Sequence, residues 1–226
     1  MSRPLFLTFL VLGAVTLANS GRLCAHPGRA ARGMERLSFR VRVYNNEGVP
    51  EGSLTAAQKT ADAVLEKAGL QAIWQDCTVG NPSRDSSGCD MHPTYVDLVL
   101  YLVARLEAHA PYVNRSALGY SIIPDDGEPA TTAYVCFHRV RSLRSMFSME
   151  ELLGLSIAHE IVHLLLGTNL HSHSGLMKAR WPKKDLEAKH WEEFALTSDE
   201  ARRLHAAVLV RTTSEERAIA MHISTK

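Results

Sequence analysis

Two histidines and a glutamate in the run His159-Glu160-Ile161-Val162-His163 have the types and spacing that a metal site requires. Two histidines four residues apart on a helix lie on the same face, one turn from each other. Their imidazole nitrogens can then reach one zinc ion at about 2.1 Å each. The carboxylate of Glu160 projects beside that ion, where it can take a proton from a water molecule whose pKa zinc lowers to about 7. The pattern is the H-E-x-x-H arrangement of zinc-dependent hydrolases.

The helix that carries this run is predicted over residues 148–166. Ser148 and Glu151 have the spacing of a capping box at its start, and Gly167 is a stop signal at its end. Leucine and isoleucine surround the motif, so the helix is expected to be largely buried. Two imidazoles and a carboxylate in such a helix cost several kcal/mol unless a partner satisfies them, and a metal ion does so. The alternative is a core helix whose polar side chains hydrogen-bond to their neighbours.

A third ligand has to come from outside the helix, because catalytic zinc usually takes three protein ligands and a water. The nearest candidates are His171 and His173, which follow Gly167. A glycine at this place lets the chain leave the helix and bring a later histidine back to the metal. Carboxylates and one further histidine downstream are the other candidates for the third ligand: Asp185, Glu187, Glu192, Glu193 and His190.

The stretch that begins at His159 resembles the metzincin zinc peptidases, which read H-E-x-x-H-x-x-G-x-x-H followed by a Met-turn. It departs from that pattern by one extra residue on each side of Gly167. The resemblance favours His171 over His173, because His171 lies nearer to the family spacing. It implies three zinc ligands, a general base and a Met-turn residue, which are His159, His163, His171, Glu160 and Met177.

The same stretch is also similar to a group of short bacterial exported proteins. These proteins carry H-E-[LI]-x-H-L-L-L-G, then H-S, and then G-[IL]-M. The matching positions after the helix are His171-Ser172 and Gly175-Leu176-Met177, with Ala179 and Trp181 soon after. This resemblance implies the fold of this chain and its export, and it indicates no substrate.

The elements around the motif are predicted from hydrophobic periodicity and turn signals. The continuous apolar run over 98–103 predicts a central strand. Further strands are predicted over 37–43, 71–76, 118–123 and 132–137, and helices over 53–68, over 148–166 and from a second capping box at Thr197 and Glu200. This order is typical of a single α+β domain. The metzincin resemblance implies a twisted mixed sheet of about five strands with an active-site helix, a backing helix and a C-terminal helix. It also implies that 118–123 or 132–137 is the edge strand that pairs with an extended peptide.

Length and composition limit the function further. The chain has 226 residues, of which 46% are hydrophobic and 22% charged, which is enough for one good core. Its formal net charge of +1 and the lack of a basic run argue against nucleic acid as a partner. We expect a monomer that acts on a peptide or protein substrate.

The N-terminus predicts export. Arg3 is followed by an apolar centre over 5–18 and by the small-residue run Ala18-Asn19-Ser20, which together indicate a secretory signal peptide cleaved near Ser20. The apolar centre is shorter than the ~20 residues of a membrane-spanning helix. The predicted organisation is a signal peptide over 1–20, a short flexible leader over 21–36 and a metzincin-like catalytic domain over 37–226. The expected location is secreted or periplasmic, without membrane attachment after cleavage.

Four cysteines, Cys24, Cys77, Cys89 and Cys136, allow three pairings in an exported chain. Cys77 and Cys89 flank a loop rich in turn-forming residues, which favours a local bridge between them. Cys136 lies in an apolar strand and has the alternative of a buried free thiol.

These features lead to one main hypothesis and two alternatives. The main hypothesis is an exported zinc metalloendopeptidase that hydrolyses peptide bonds with a water activated by zinc and Glu160. One alternative is a non-catalytic exported domain that holds zinc for structure. The other is a zinc hydrolase that acts on a non-peptide amide, for example in the cell envelope.

Overall fold

The computed structural model describes residues 36–80, 87–106, 114, 116–143, 145–187 and 191–224. These residues belong to one compact unit that extends from Met34 to Lys226. The predicted signal peptide and nearly all of the predicted leader lie outside the described residues, so the domain boundaries stay a prediction. Within the described ranges, none of the helices combines the length and the apolar character that crossing a membrane would take.

The strands and helices follow the predicted order with two short additions. The strands are β1 (Leu37–Asn45), β2 (Leu70–Asp76), β3 (Asp97–Val103), β4 (Gly119–Ser121) and β5 (Thr132–Cys136). The helices are α1 (Glu51–Glu66), α2 (Phe137–Ser142), α3 (Met149–Leu166), α4 (Lys183–Leu186) and α5 (Ser198–Ser224), with a 3-10 turn over Trp191–Glu193. The additions that sequence reasoning missed are α2 and the segment formed by α4 and the 3-10 turn.

The five strands form one mixed sheet in the order β2-β1-β3-β5-β4. The β1 strand is parallel to β2 and β3, and β3 is parallel to β5, whereas β4 is antiparallel to β5. The continuous apolar run predicted as a central strand is β3, which lies in the middle of the sheet. The α+β class and the mixed five-stranded sheet are therefore confirmed.

Of the two predicted candidates for the edge strand, β4 is the one that lies at an edge of the sheet, with β2 at the opposite edge. Residues 132–137 were one candidate, but β5 lies between β3 and β4 and therefore cannot be an edge strand. The predicted strand 118–123 is shortened to Gly119–Ser121, since pairing with β5 covers only those three residues. The predicted last residue of β5, Phe137, instead begins α2.

The α3 helix is buried along nearly all of its length and packs against α1, β4 and β5. Gly154 in the middle of α3 shows how closely the two helices approach. A Cβ atom at this position would lie 2.3 Å from the carbonyl oxygen of Ala57 in α1, so only glycine fits without displacing backbone. This packing fixes α3, the helix that carries the H-E-x-x-H motif, against the centre of the fold.

Both ends of α3 are capped as predicted. The Ser148 hydroxyl accepts a hydrogen bond from the backbone N–H of Glu151 at 3.1 Å, and the Glu151 carboxylate accepts from the backbone N–H of Ser148 at 2.7 Å. Gly167 ends the helix with φ +60°, in the left-handed region that favours glycine. The chain therefore turns sharply immediately after the helix.

The cysteines agree with the predicted local bridge. Cys77 and Cys89 form a disulfide with a Cα–Cα distance of 5.6 Å. Cys136 is a buried free thiol, whose S–H donates to the carbonyl oxygen of Ala104 at 3.0 Å. Cys24 lies outside the described residues.

Candidate metal centre

Three histidines converge at one end of α3. His159 and His163 lie one turn apart on the helix, and His171 returns to them from the segment that follows Gly167. The ligand nitrogens of the three rings all lie within 4.8 Å of one another. Within the described ranges, they form the one group of three or more histidine, cysteine or carboxylate side chains close enough to share a metal ion.

Backbone carbonyls set the orientation of the two helical rings. The Nδ1–H of His159 donates to the carbonyl oxygen of Leu176 at 2.9 Å, and the Nδ1–H of His163 donates to that of Thr168 at 2.7 Å. Because a carbonyl only accepts hydrogen bonds, each ring carries its proton on Nδ1 and presents a lone pair on Nε2 when neutral. A hydrogen bond from Nδ1 to a carbonyl is also the usual outer contact of a metal-bound histidine.

The two Nε2 atoms of His159 and His163 are 3.0 Å apart. Two lone pairs at this distance repel each other unless a cation lies between them. The nitrogens of a tetrahedral zinc site with bonds of about 2.1 Å are about 3.4 Å apart, which is close to the observed spacing. These residues therefore fit a zinc ion, and the fit follows from the chemistry of the donors.

Burial keeps the rings neutral, which is the form that binds metals. Desolvation, with a contribution from the neighbouring His163 ring, lowers the pKa of His159 to about 3. Desolvation also lowers the pKa of His163 to about 4, and it lowers the pKa of the exposed His171. Protons therefore compete weakly with a metal at neutral pH.

The segment after the left-handed turn at Gly167 contains both the carbonyl that hydrogen-bonds to His163 and the third histidine. The Thr168 N–H donates back to the carbonyl oxygen of His163 at 3.2 Å, which places the Thr168 carbonyl beside the His163 ring. The chain then crosses the end of α3 and carries His171 to the other two rings. Sequence spacing alone does not reveal this path, because the family pattern has one residue fewer on each side of Gly167.

The other candidates for the third ligand lie elsewhere. His173 is exposed and outside the histidine group. Asp185 forms an ion pair with Lys178, while Glu187 and Glu193 are exposed. His190 lies outside the described residues, as does the side chain of Glu192. The structure thus brings together the three histidines that the resemblance implies.

Glu160 lies on the same side of α3 as the histidines, against the edge strand. Its side chain is buried, with 5% exposure for the residue, and its Oε2 accepts a hydrogen bond from the Ser121 hydroxyl at 2.6 Å. A Cβ atom at position 119 would lie 2.3 Å from Oε1, so Gly119 leaves the space that the carboxylate occupies. Desolvation raises the pKa of Glu160 to about 8. Sequence reasoning missed Gly119 and Ser121, since no local pattern marks them.

The metal-free protein should lose stability on both sides of neutral pH. Folded Glu160 keeps its proton up to about pH 8, whereas the unfolded chain releases it near the ordinary value of 4.5, so stability falls as the pH rises through this interval. His159 and His163 have folded pKa values of about 3 and about 4 against an ordinary 6.5, so stability also falls as the pH drops below 6.5. The check is the Tm of chelated protein from pH 4 to pH 9. Glu160→Gln should retain the acid-side loss and abolish the alkaline-side loss, and an equal alkaline loss in both proteins would contradict the assignment.

A cavity of about 530 Å³ opens over the three histidines and Glu160. The β4 strand lines one side of it, and residues 178–181 line another. The cavity lining is mainly apolar and includes Leu118, Leu143, Trp181 and Leu186. The indole N–H of Trp181 donates at 3.1 Å to the Leu176 carbonyl, which also accepts from His159, so this wall residue supports a ligand as well.

Met177 is buried in the main core, with 2% exposure, and its carbonyl oxygen accepts a hydrogen bond from the Ser172 N–H at 2.7 Å. It does not line the cavity. Its role as a Met-turn residue stays a prediction.

Comparison with known proteins supports the fold. No family model and no curated protein matches the chain. Among solved structures, the chain is similar to the crystal structure of archaemetzincin from Methanopyrus kandleri, with a TM-score of 0.50 and 15% sequence identity. The match covers 80% of this chain and 99% of that chain. At this identity the likeness shows the fold alone, and the chain has a metzincin-like domain.

Proposed function

We propose that the protein is a zinc-dependent metallopeptidase, with His159, His163 and His171 as the zinc ligands and Glu160 as the general base. The observation that carries this proposal is the convergence of three imidazoles and one buried carboxylate on a single cavity. The similarity to archaemetzincin supports it at the level of the fold.

When bound, a zinc ion would supply a Lewis acid, which would polarise the peptide carbonyl and lower the pKa of the attacking water. Glu160 accepts the proton that this water loses and later passes it to the leaving amine. Burial raises the pKa of Glu160 in the metal-free protein, and the charge of a zinc ion beside it would favour the carboxylate form that accepts the proton. The Ser121 hydroxyl donates to Oε2 and orients the carboxyl group.

The substrate is proposed to bind as an extended peptide along β4. One side of this strand pairs with β5, and its three residues line the cavity beside Glu160. A peptide added to this edge would gain main-chain hydrogen bonds and bring a carbonyl close to the histidines. The apolar wall of the cavity suits an apolar side chain next to the cleaved bond.

Export is part of the proposal. The predicted signal peptide over 1–20 points to a secreted or periplasmic enzyme, and the Cys77–Cys89 disulfide is in keeping with an oxidising compartment. We propose a monomer with peptide or protein substrates and no nucleic-acid partner.

The test is hydrolysis of a broad peptide library by the purified protein. Cleavage should disappear when a chelator removes zinc and return when zinc is added back. Cleavage that persists after the metal has been removed would contradict the proposal. Full zinc binding without any cleavage would instead support the non-catalytic alternative.

A further inference from the structure

The third histidine lacks the support that the first two receive from a helix. The backbone of α3 fixes His159 and His163, whereas His171 is exposed and belongs to an irregular segment over 168–175. A ligand on such a segment loses conformational freedom when it binds a metal, unless other contacts hold it in place beforehand. Contacts of this kind are made by Ser172, the residue after His171.

Ser172 is held through both its backbone and its side chain. Its N–H donates to the carbonyl oxygen of Met177 at 2.7 Å, and it forms an isolated parallel β-bridge with Lys178. Its hydroxyl donates to Oε1 of Glu200. The residue that follows His171 is therefore attached to the first turn of α5.

Glu200 is buried, with 5% exposure. It forms a capping box with Thr197 at the start of α5. Its Oε2 accepts from the N–H of Thr197 at 2.7 Å, and its own N–H donates to the Thr197 hydroxyl at 3.2 Å. Within the described ranges it forms no ion pair with a lysine, arginine or histidine. Burial of a carboxylate is costly, and the Ser172 hydroxyl supplies a hydrogen bond that offsets part of that cost.

The capping box of α3 shows that capping alone does not require this burial. Glu151 makes the same two contacts with Ser148 while it remains partly exposed. The feature that distinguishes Glu200 from Glu151 is its hydrogen bond to the segment that carries His171.

A second contact of α5 reaches the helix that carries the other two ligands. The guanidinium of Arg211 donates through Nη2 to the carbonyl oxygens of Leu164, at 2.6 Å, and Ala130, at 3.0 Å. Leu164 follows His163 directly. The α5 helix thus contacts the segment that carries His171 and the turn of α3 next to His163.

We propose that Glu200 is a positioning residue for the metal centre, which acts through Ser172 to hold the segment that carries His171. The proposal rests on the zinc site described under the proposed function. It assigns the α5 capping box a purpose beyond starting a helix, namely to arrange the third ligand before the metal arrives.

The experiment measures zinc affinity by chelator competition, which requires no knowledge of the substrate. Ser172→Ala removes the hydroxyl and leaves the capping box intact, and it should weaken zinc binding by about 10- to 100-fold. Ser172→Thr, which retains a hydroxyl, should restore much of the affinity. Ser174→Ala is the matched control, because Ser174 is an exposed serine of the same segment.

A double-mutant cycle separates the proposed role from a general loss of stability. On a Glu200→Ala background, Ser172→Ala should cause little further loss of zinc affinity, since its partner is already absent. The Tm of each chelated variant is recorded alongside. Should Ser172→Ala fail to fold, Glu200→Asp, which retains the charge but shortens the reach, should bind zinc more weakly than wild type in the same assay, and equal affinity would overturn the proposal.

The outcomes distinguish this proposal from the proposed function. Equal zinc affinity in Ser172→Ala, Ser174→Ala and wild type would overturn the positioning role, whatever the peptidase assay shows. Additive losses in the double-mutant cycle would overturn it as well. Tight zinc binding without peptide cleavage would overturn the proposed activity and leave the positioning role to be judged by affinity alone. A wild-type protein that binds no zinc would overturn both.

Discussion

Replacement of His171 by alanine is expected to weaken zinc binding by more than about 100-fold, because loss of a direct ligand should exceed the 10- to 100-fold effect of losing an outer contact. The ligand nitrogens of His159, His163 and His171 lie within 4.8 Å of one another, so removal of one leaves only two protein ligands. Hydrolysis should disappear together with the metal. Zinc affinity measured by chelator competition is the primary readout.

His173→Ala is the matched control for this prediction. It removes the same side chain from the same segment, two residues further on, at an exposed position outside the histidine group. Its zinc affinity should equal that of wild type. Normal binding by His171→Ala, or a large loss in His173→Ala, would move the third ligand away from His171.

The parts of the fold that depend on local sequence were predictable. The apolar run that forms β3 identified the central strand, and the Ser148–Glu151 capping box with Gly167 gave both ends of α3. A strand was predicted at 118–123, but the length of β4 and its place at the edge of the sheet were not predictable, since they depend on pairing with β5 and on contacts with α3. The start of α2 at Phe137 was missed for a similar reason, because an apolar run continues across the end of β5.

The candidate site likewise combines residues that local sequence predicts with residues that only the folded chain brings together. His159, Glu160 and His163 follow from spacing on one helix, so their placement on one side of the helix was predictable. The choice between His171 and His173 depends on the path of the chain after its left-handed turn, which spacing does not determine. Ser121 contacts Glu160 from 39 residues away along the chain. No local pattern shows such a contact, which arises only when the edge strand packs against the helix.

A large loss of catalysis without loss of zinc is expected from Glu160→Gln. This change keeps the size of the side chain and an oxygen that can accept from Ser121, but it removes the group that takes the proton from water. The expected result is a loss of at least about 100-fold in kcat, within the range for removal of a general acid–base group. Zinc content should stay at the wild-type level, because Glu160 is not one of the three ligands. Glu187→Gln is the control, since it makes the same chemical change at an exposed residue outside the cavity lining.

The central claim is that peptide hydrolysis depends on Glu160 acting beside a zinc ion held by three histidines. The most direct measurement compares peptide hydrolysis by wild type, Glu160→Gln and Glu187→Gln, each at one zinc ion per chain as measured by metal analysis. We predict wild-type rates for Glu187→Gln and nearly complete loss for Glu160→Gln at equal zinc content. Hydrolysis by zinc-loaded Glu160→Gln at the wild-type rate would contradict the claim.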